Sequence, residues 1–219
     1  MRFLYNCKNS PFFIKSISII MFFSQKLSSI TCLILLILTS FLTHAQDFES
    51  TKKLAESGDA KAQYNLGLMY YKGYGVLMDI KQAAYWWQKS AEQGVANAQF
   101  NLGVMYDKGK GVLIDKKKAV YWYQKSAEQG FALAQHNLGM MYVNGEGVLM
   151  DKKQAAFWLQ KSAEQGDASA QHNLGLIYIH GEGVVMNKKL AAYWIRKAYE
   201  NGYEKAKEIW EKYELWKYE

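Results

Sequence analysis

Beyond residue 45 the chain contains no cysteine, and before residue 46 it contains no acidic residue. The first absence excludes a disulfide framework for the body of the protein, even in an oxidising compartment. Both cysteines, Cys7 and Cys32, fall in the opening segment. There the bases Arg2, Lys8, Lys15 and Lys26 have no acidic counterweight. Long apolar runs are also missing. The longest, "ITCLILLILTSFL" from Ile30 to Leu42, has 13 residues, whereas a membrane-spanning helix needs about 20. A basic stretch, a short apolar run and the small-residue ending Thr43-His44-Ala45 predict an export signal over 1–45, cleaved after Ala45 to leave Gln46 first. Either Met1 or Met21 can serve as the start, and counted from Met21 the segment has ordinary signal-peptide proportions. An uncleaved anchor is the alternative. Cys32 does not suit lipid attachment, because the apolar run follows it.

Without the four leader bases, the formal charge of +7 falls to +3. Much of the basic character therefore belongs to the leader, and an exported chain of this charge is not expected to bind nucleic acid.

The remainder is dominated by one spacing. "AQYNLGLMYYKGYGVLMDIKQAAYWWQKSAEQG" begins at residue 62, and close copies begin at 98, 134 and 170 with no insertion. A period of 36 residues signals stacked supersecondary units. Each unit reads as two helices. The first, about Ala60 to Lys72, carries Ala62, Leu66, Met69 and Tyr70 at helical spacing. Gly73 and Gly75 stop it by accepting left-handed backbone. The second opens at Asp79, a good N-cap, carries Ala83, Trp86 or Trp87, Ser90 and Ala91, and stops at Gly94. Equivalent caps are Asp115, Asp151 and Asn187.

One residue in each unit defies local propensity. Gly67, Gly103, Gly139 and Gly175 sit inside the first helices, where glycine costs about 1 kcal/mol relative to alanine. The expected reason is close approach of the second helix, with Trp86, Trp122, Trp158 and Trp194 against the partner backbone and their burial offsetting the cost. Residues 203–219 read as a first helix with none after it, and there the matching position is Glu211.

The string "LGxMYxxGxGVxxDxKxAxxWxxKSAEQG" resembles Sel1-like repeats, relatives of the tetratricopeptide repeats. The resemblance covers residues 60–202 and implies an all-α fold, an α/α superhelix of antiparallel helix pairs. The units are 60–95, 96–131, 132–167 and 168–202. A capping helix over 46–59 precedes them, since "KLAESGD" matches the end of a second helix, and another over 203–219 follows. The resemblance further implies protein–protein interaction, with adaptor and host-contact roles among bacterial relatives. Cysteine-rich relatives have been linked to penicillin binding.

Chemical motifs are weak. "GYGVLMD" lacks the preceding strand and the lysine-serine pair of a phosphate loop. Ser50 and Lys53 form S-x-x-K, but S-D-N and K-T-G are absent, so an envelope hydrolase or penicillin-recognising enzyme is only the alternative reading. His136 and His172 occupy matching positions, and their expected neighbours offer no third zinc ligand. No catalytic residue, metal or other cofactor is expected.

In a solenoid the usable surface is the concave wall, and positions that vary between units are informative. One such face carries Lys61, Tyr64, Leu68, Tyr71 and Lys72, then Asn97, Phe100, Val104, Asp107 and Lys108. It continues with Leu133, His136, Met140, Val143 and Asn144, then Ser169, His172, Leu176, Ile179 and His180. This apolar trough with polar edges suits an extended peptide or partner helix; packing between units is the competing use of the same face. Lys81, Lys116–Lys118, Lys152, Lys153, Lys188 and Lys189 recur at second-helix starts, a ridge suited to solvent or to an anionic envelope surface. The expectation is a monomeric, non-catalytic scaffold in the periplasm or outside the cell.

Overall fold

The computed structural model describes residues 46–218. The leader, its cysteines, both candidate starts and the cleavage site lie outside them, as does Glu219. Helix α1 covers 46–56. The four units follow as α2 (Ala60–Lys72) with α3 (Ile80–Glu92), α4 (Ala96–Lys108) with α5 (Lys116–Glu128), α6 (Ala132–Asn144) with α7 (Lys152–Glu164), and α8 (Ala168–His180) with α9 (Lys188–Glu200). Helix α10 (Lys205–Lys212) and a 3-10 turn (Leu215–Tyr218) complete the stack. Each second helix packs on its own first helix and on the next unit's first helix. The fold is an all-α solenoid of consecutive antiparallel pairs.

Local chemistry marks the second-helix starts and the first-helix ends. Asp79, Asp115, Asp151 and Asn187 take extended backbone and accept N–H groups from the first turn of α3, α5, α7 and α9. The first helices end on Gly73, Gly109, Gly145 and Gly181, all left-handed with φ of 67° to 73°. The second loop glycine has a further task. A Cβ on Gly111 would lie 2.7 Å from the carbonyl oxygen of Ile80, so the loop rests directly on the preceding unit's second helix.

The core is serial. One cluster joins Ala83, Trp87 and Ala91 of the first unit to Ala98, Leu102 and Met105 of the second, and similar clusters cross the later boundaries. Phe48 and Ala55 of α1 close the first unit, while Ala206 and Leu215 close the last. Residues 46–218 thus bury their own apolar faces at both ends.

The internal glycines face second helices, as close approach requires. The side chain filling each gap is Trp87, Tyr123, Leu159 or Ile195, one residue beyond the tryptophans expected there. A Cβ on Gly67 would lie 2.5 Å from Trp87 Nε1, and one on Gly103 2.6 Å from Tyr123 Cδ1. One residue is about 100° of helical rotation. Trp86 and Trp122 therefore point elsewhere, Trp86 toward Phe48 of α1 and Trp122 into the cluster of Ala84 and Trp87 of the preceding unit. Trp158 and Trp194 likewise pack against the clusters of Val120 and Tyr123 and of Ala156 and Leu159 in the preceding units.

A polar brace runs through this apolar stack. Gln63, Gln99, Gln135 and Gln171 are almost fully buried. Each side-chain amide donates to the carbonyl oxygen of Ala55, Ala91, Ala127 or Ala163 at 3.0–3.1 Å. Each side-chain oxygen accepts from Gln93, Gln129, Gln165 or Asn201 at 2.7–2.9 Å. Three helices from two units meet at each glutamine, and both of its polar ends are satisfied, as burial demands.

Candidate peptide-binding groove

Three clefts repeat along the first-helix wall, one at each boundary between units. Leu68, Tyr71, Lys72 and Trp87 face Asn101, Val104, Met105 and Lys110 across the first, of about 140 Å³. The second, about 260 Å³, is lined by Val104, Asp107, Lys108 and Tyr123 against Asn137, Met140, Met141, Asn144 and Glu146. Met140, Val143 and Leu159 face Asn173, Leu176, Ile177, His180 and Glu182 across the third, also about 260 Å³. Nearly every lining position recurs 36 residues on, so the clefts are copies of one architectural feature with different chemistry.

The first cleft is aromatic with a basic rim. The rings of Tyr71 and Trp87 lie 5.4 Å apart, and Lys72 and Lys110 stand at its mouth. Asn101 is half-buried there, with no side-chain hydrogen bond among the described residues.

The second is charged. Lys116 Nζ bridges Asp107 at 2.5 Å and Glu146 of the following loop at 2.6 Å, while Lys108 reaches Asp107 at 2.9 Å. Burial raises the Asp107 pKa, but hydrogen bonds from Lys116 and Lys108 outweigh it and hold the carboxyl below its ordinary value. The same lysine lowers Glu146, and its own pKa rises in return. Burial, then the nearby Asp107 charge, drives the Tyr123 phenol upward against its hydrogen bond with Asn137. This tyrosine stays neutral.

The third cleft is largely apolar. The Asn173 amide lies 3.2 Å from His136 Nε2 and 3.3 Å from Met140 Sδ. His136 Nδ1 is 3.9 Å from Asp167 Oδ1. Burial depresses the His136 pKa more than that carboxylate raises it.

The face read from the sequence divides in four. Leu68, Tyr71, Asp107 and Met140 line the clefts. Lys61 and Asn97 are exposed beside them. Tyr64, Phe100 and His136 are half-buried between units. Phe100, for example, lies 5.0 Å from Phe131 at the start of the next unit. In the last unit His172 and Ile179 are buried and unavailable to a partner. Tyr203 lies against the His172 ring at 4.6 Å, and Ile179 shares a cluster with Ala206 and Leu215, because α10 takes the place of a following unit. His172 Nδ1 has no hydrogen-bond partner, and burial, helped by Lys205, lowers its pKa.

Other motifs resolve locally. Ser50 Oγ donates to the Asp47 carbonyl at 3.0 Å, and no hydrogen bond joins it to Lys53. Among the described residues no three His, Cys, Asp or Glu side chains gather in a way that could hold a metal ion, and no helix is long and apolar enough to cross a membrane. Asn101, Asn137 and Asn173 were not singled out by sequence variation because they never vary. The available signal was a polar residue repeated inside each first helix without a capping role.

Comparison with known proteins agrees with this architecture. The Sel1 repeat family model matches residues 60–95, 96–131, 132–167 and 168–203. The chain is similar to the crystal structure of a protective antigen of uropathogenic Escherichia coli with an SLR fold, at 43% identity and a TM-score of 0.68 over 71% of this chain and 33% of that one. It is also similar to a Sel1 repeat protein from Oxalobacter formigenes, at 36% identity and a TM-score of 0.70, covering 77% and 49% of the respective chains. A sel1-like repeat-containing protein of Acanthamoeba polyphaga mimivirus is 48% identical over 42 residues, which are 19% of this chain and 7% of the viral protein. The chain thus spans half or less of the length of these relatives.

Proposed function

We propose that this member of the Sel1 repeat family, whose own four units keep one framework while selected wall positions change, is an exported, non-catalytic scaffold binding an extended peptide or helix along the first-helix clefts. The observation behind this reading is the register of the clefts. A partner meets an aromatic notch with a basic rim, then a charged one, then an apolar one. Specificity is a sequence of chemistries at fixed spacing, and the rigid wall limits the ordering cost of binding. The unpaired Asn101 amide suits a peptide backbone in the first cleft. Export rests on the basic leader and its apolar run, and resemblance to a protective antigen of a pathogen fits a protein that leaves the cytoplasm.

Selection from a displayed random-peptide library on residues 46–219, followed by affinity measurement, tests the proposal. Tyr71→Ala and Met140→Ala should each weaken selected peptides at least tenfold, and Asp107→Lys should change which sequences are selected. Lys61→Ala should do neither. Peptides that bind all four variants as tightly as the parent would remove the groove from consideration.

A further inference from the structure

A second repeated feature lies at the tips of the loops, beyond Lys110, Glu146 and Glu182 at the cleft rims. Leu77, Leu113, Leu149 and Val185 are 88–89% exposed, and their neighbours Met78, Ile114, Met150 and Met186 are 59–67% exposed. Apolar side chains so open to water are normally scattered singly; here the same pair recurs in all four units. The loops hold these tips in one orientation. In each, the residue after the pair returns a hydrogen bond to the first helix, from Asp79, Asp115, Asp151 or Asn187 to the carbonyl of Tyr70, Tyr106, Tyr142 or Tyr178, at 2.9–3.1 Å. Because the loops of Gly111, Gly147 and Gly183 also rest on the unit before them, the pairs form a fixed row along one edge.

The row runs beside cations. Lys81, Lys117, Lys153 and Lys189 follow the loops at the second-helix starts and have no ion pair among the described residues. The carboxylates on that edge are engaged: Asp79, Asp115 and Asp151 accept helix N–H groups, and Glu146 and Glu182 are held by Lys116 and Lys152. From this juxtaposition we infer that the loop edge docks on an anionic lipid bilayer, with the Leu/Met tips entering the interface and the free lysines meeting the headgroups. Pairs repeated one unit apart suit a continuous apolar slab, which needs no pockets at matching intervals. Apolar insertion combined with lysine attraction to anionic lipid is how peripheral surfaces hold membranes. None of the tips lines a cleft, so lipid docking and peptide capture draw on different side chains.

The test uses residues 46–219, which close their own core, so that the leader's apolar run cannot contribute. Cosedimentation is measured with vesicles of 30% phosphatidylglycerol in phosphatidylcholine and with pure phosphatidylcholine. The protein should favour the anionic vesicles at least tenfold, and the preference should fall steeply with added salt. Leu113→Asp with Leu149→Asp should cut binding at least tenfold without moving the thermal midpoint. Lys117→Gln with Lys153→Gln should reduce binding about threefold and flatten the salt dependence. Tyr71→Ala should leave vesicle binding unchanged while affecting selected peptides, which separates this inference from the groove. Equal binding to both vesicle types, undiminished binding by the Leu→Asp pair, or self-association through the row without vesicle binding would each overturn it.

Discussion

The boundary between the first and second units is held by an aromatic wedge, and the next boundary is held by a charge bridge. At the first, Trp87 packs among Ala98, Leu102 and Met105, and Ile80 stands where later units have lysine. At the second, Tyr123 fills the same space, while Lys116 ties Asp107 to Glu146 across the gap. The helices, loops and glutamine brace are alike at both. The backbone solution is therefore independent of the particular junction chemistry, provided a side chain fills the glycine notch.

The sharpest way to break that comparison is to fill the notch. Gly67→Leu and Gly103→Leu should each destabilise by about 3 kcal/mol or more, since neither ring can retreat without moving its helix. Glu211→Leu, at the same register but followed among the described residues only by the 3-10 turn, should cost less than about 0.5 kcal/mol. Thermal unfolding of the three variants decides it; equal shifts would mean the notch does not seat the second helix.

Next in size is the bridge. Lys116→Met should cost about 1 kcal/mol, since Asp107 is 12% exposed and keeps only Lys108. Asp107 has a lowered pKa, so its contribution is complete above the ordinary value of 3.8 and is lost as pH falls through the folded value. Acid unfolding below about pH 4 should accordingly be less steep in Lys116→Met than in the parent. Transplanting the bridge, by Ile80→Lys with Lys110→Glu, should change stability by less than about 1 kcal/mol, as for other exposed pairs. A larger loss would show that Ile80 is needed for packing.

The smallest effect concerns His172. Its pKa is depressed by burial and by Lys205, so it favours the folded state above its ordinary value of 6.5 and ceases to do so as pH falls below that. His172→Phe should keep the stacking on Tyr203 and flatten the decline of the thermal midpoint between pH 7 and 5.

Much of this was legible in the sequence because the period is unbroken. Asp79 and its equivalents gave the second-helix starts, and the loop glycines gave the first-helix ends. The site was less legible. Helical spacing defines a face, but the rotation between successive units decides which slice the next unit covers, and nothing within one repeat encodes that rotation. Hence Tyr64 and Phe100 share a face with Tyr71 and Asp107 yet pack between units. The choice between Trp86 and Trp87 failed for a related reason: both are large and apolar, and only the crossing of the two helices selects which enters the glycine gap. His172 and Ile179 were misassigned because α10 continues the stack and covers them.

The glutamine brace has a mechanical consequence. Each buried Gln joins its own unit to the one before and to its partner helix, so a pull on the two ends loads these contacts in series. The molecule should yield in steps, each freeing one 36-residue unit and roughly 120 Å of chain. Units that have not yet yielded would keep their clefts in register while the strand is drawn out.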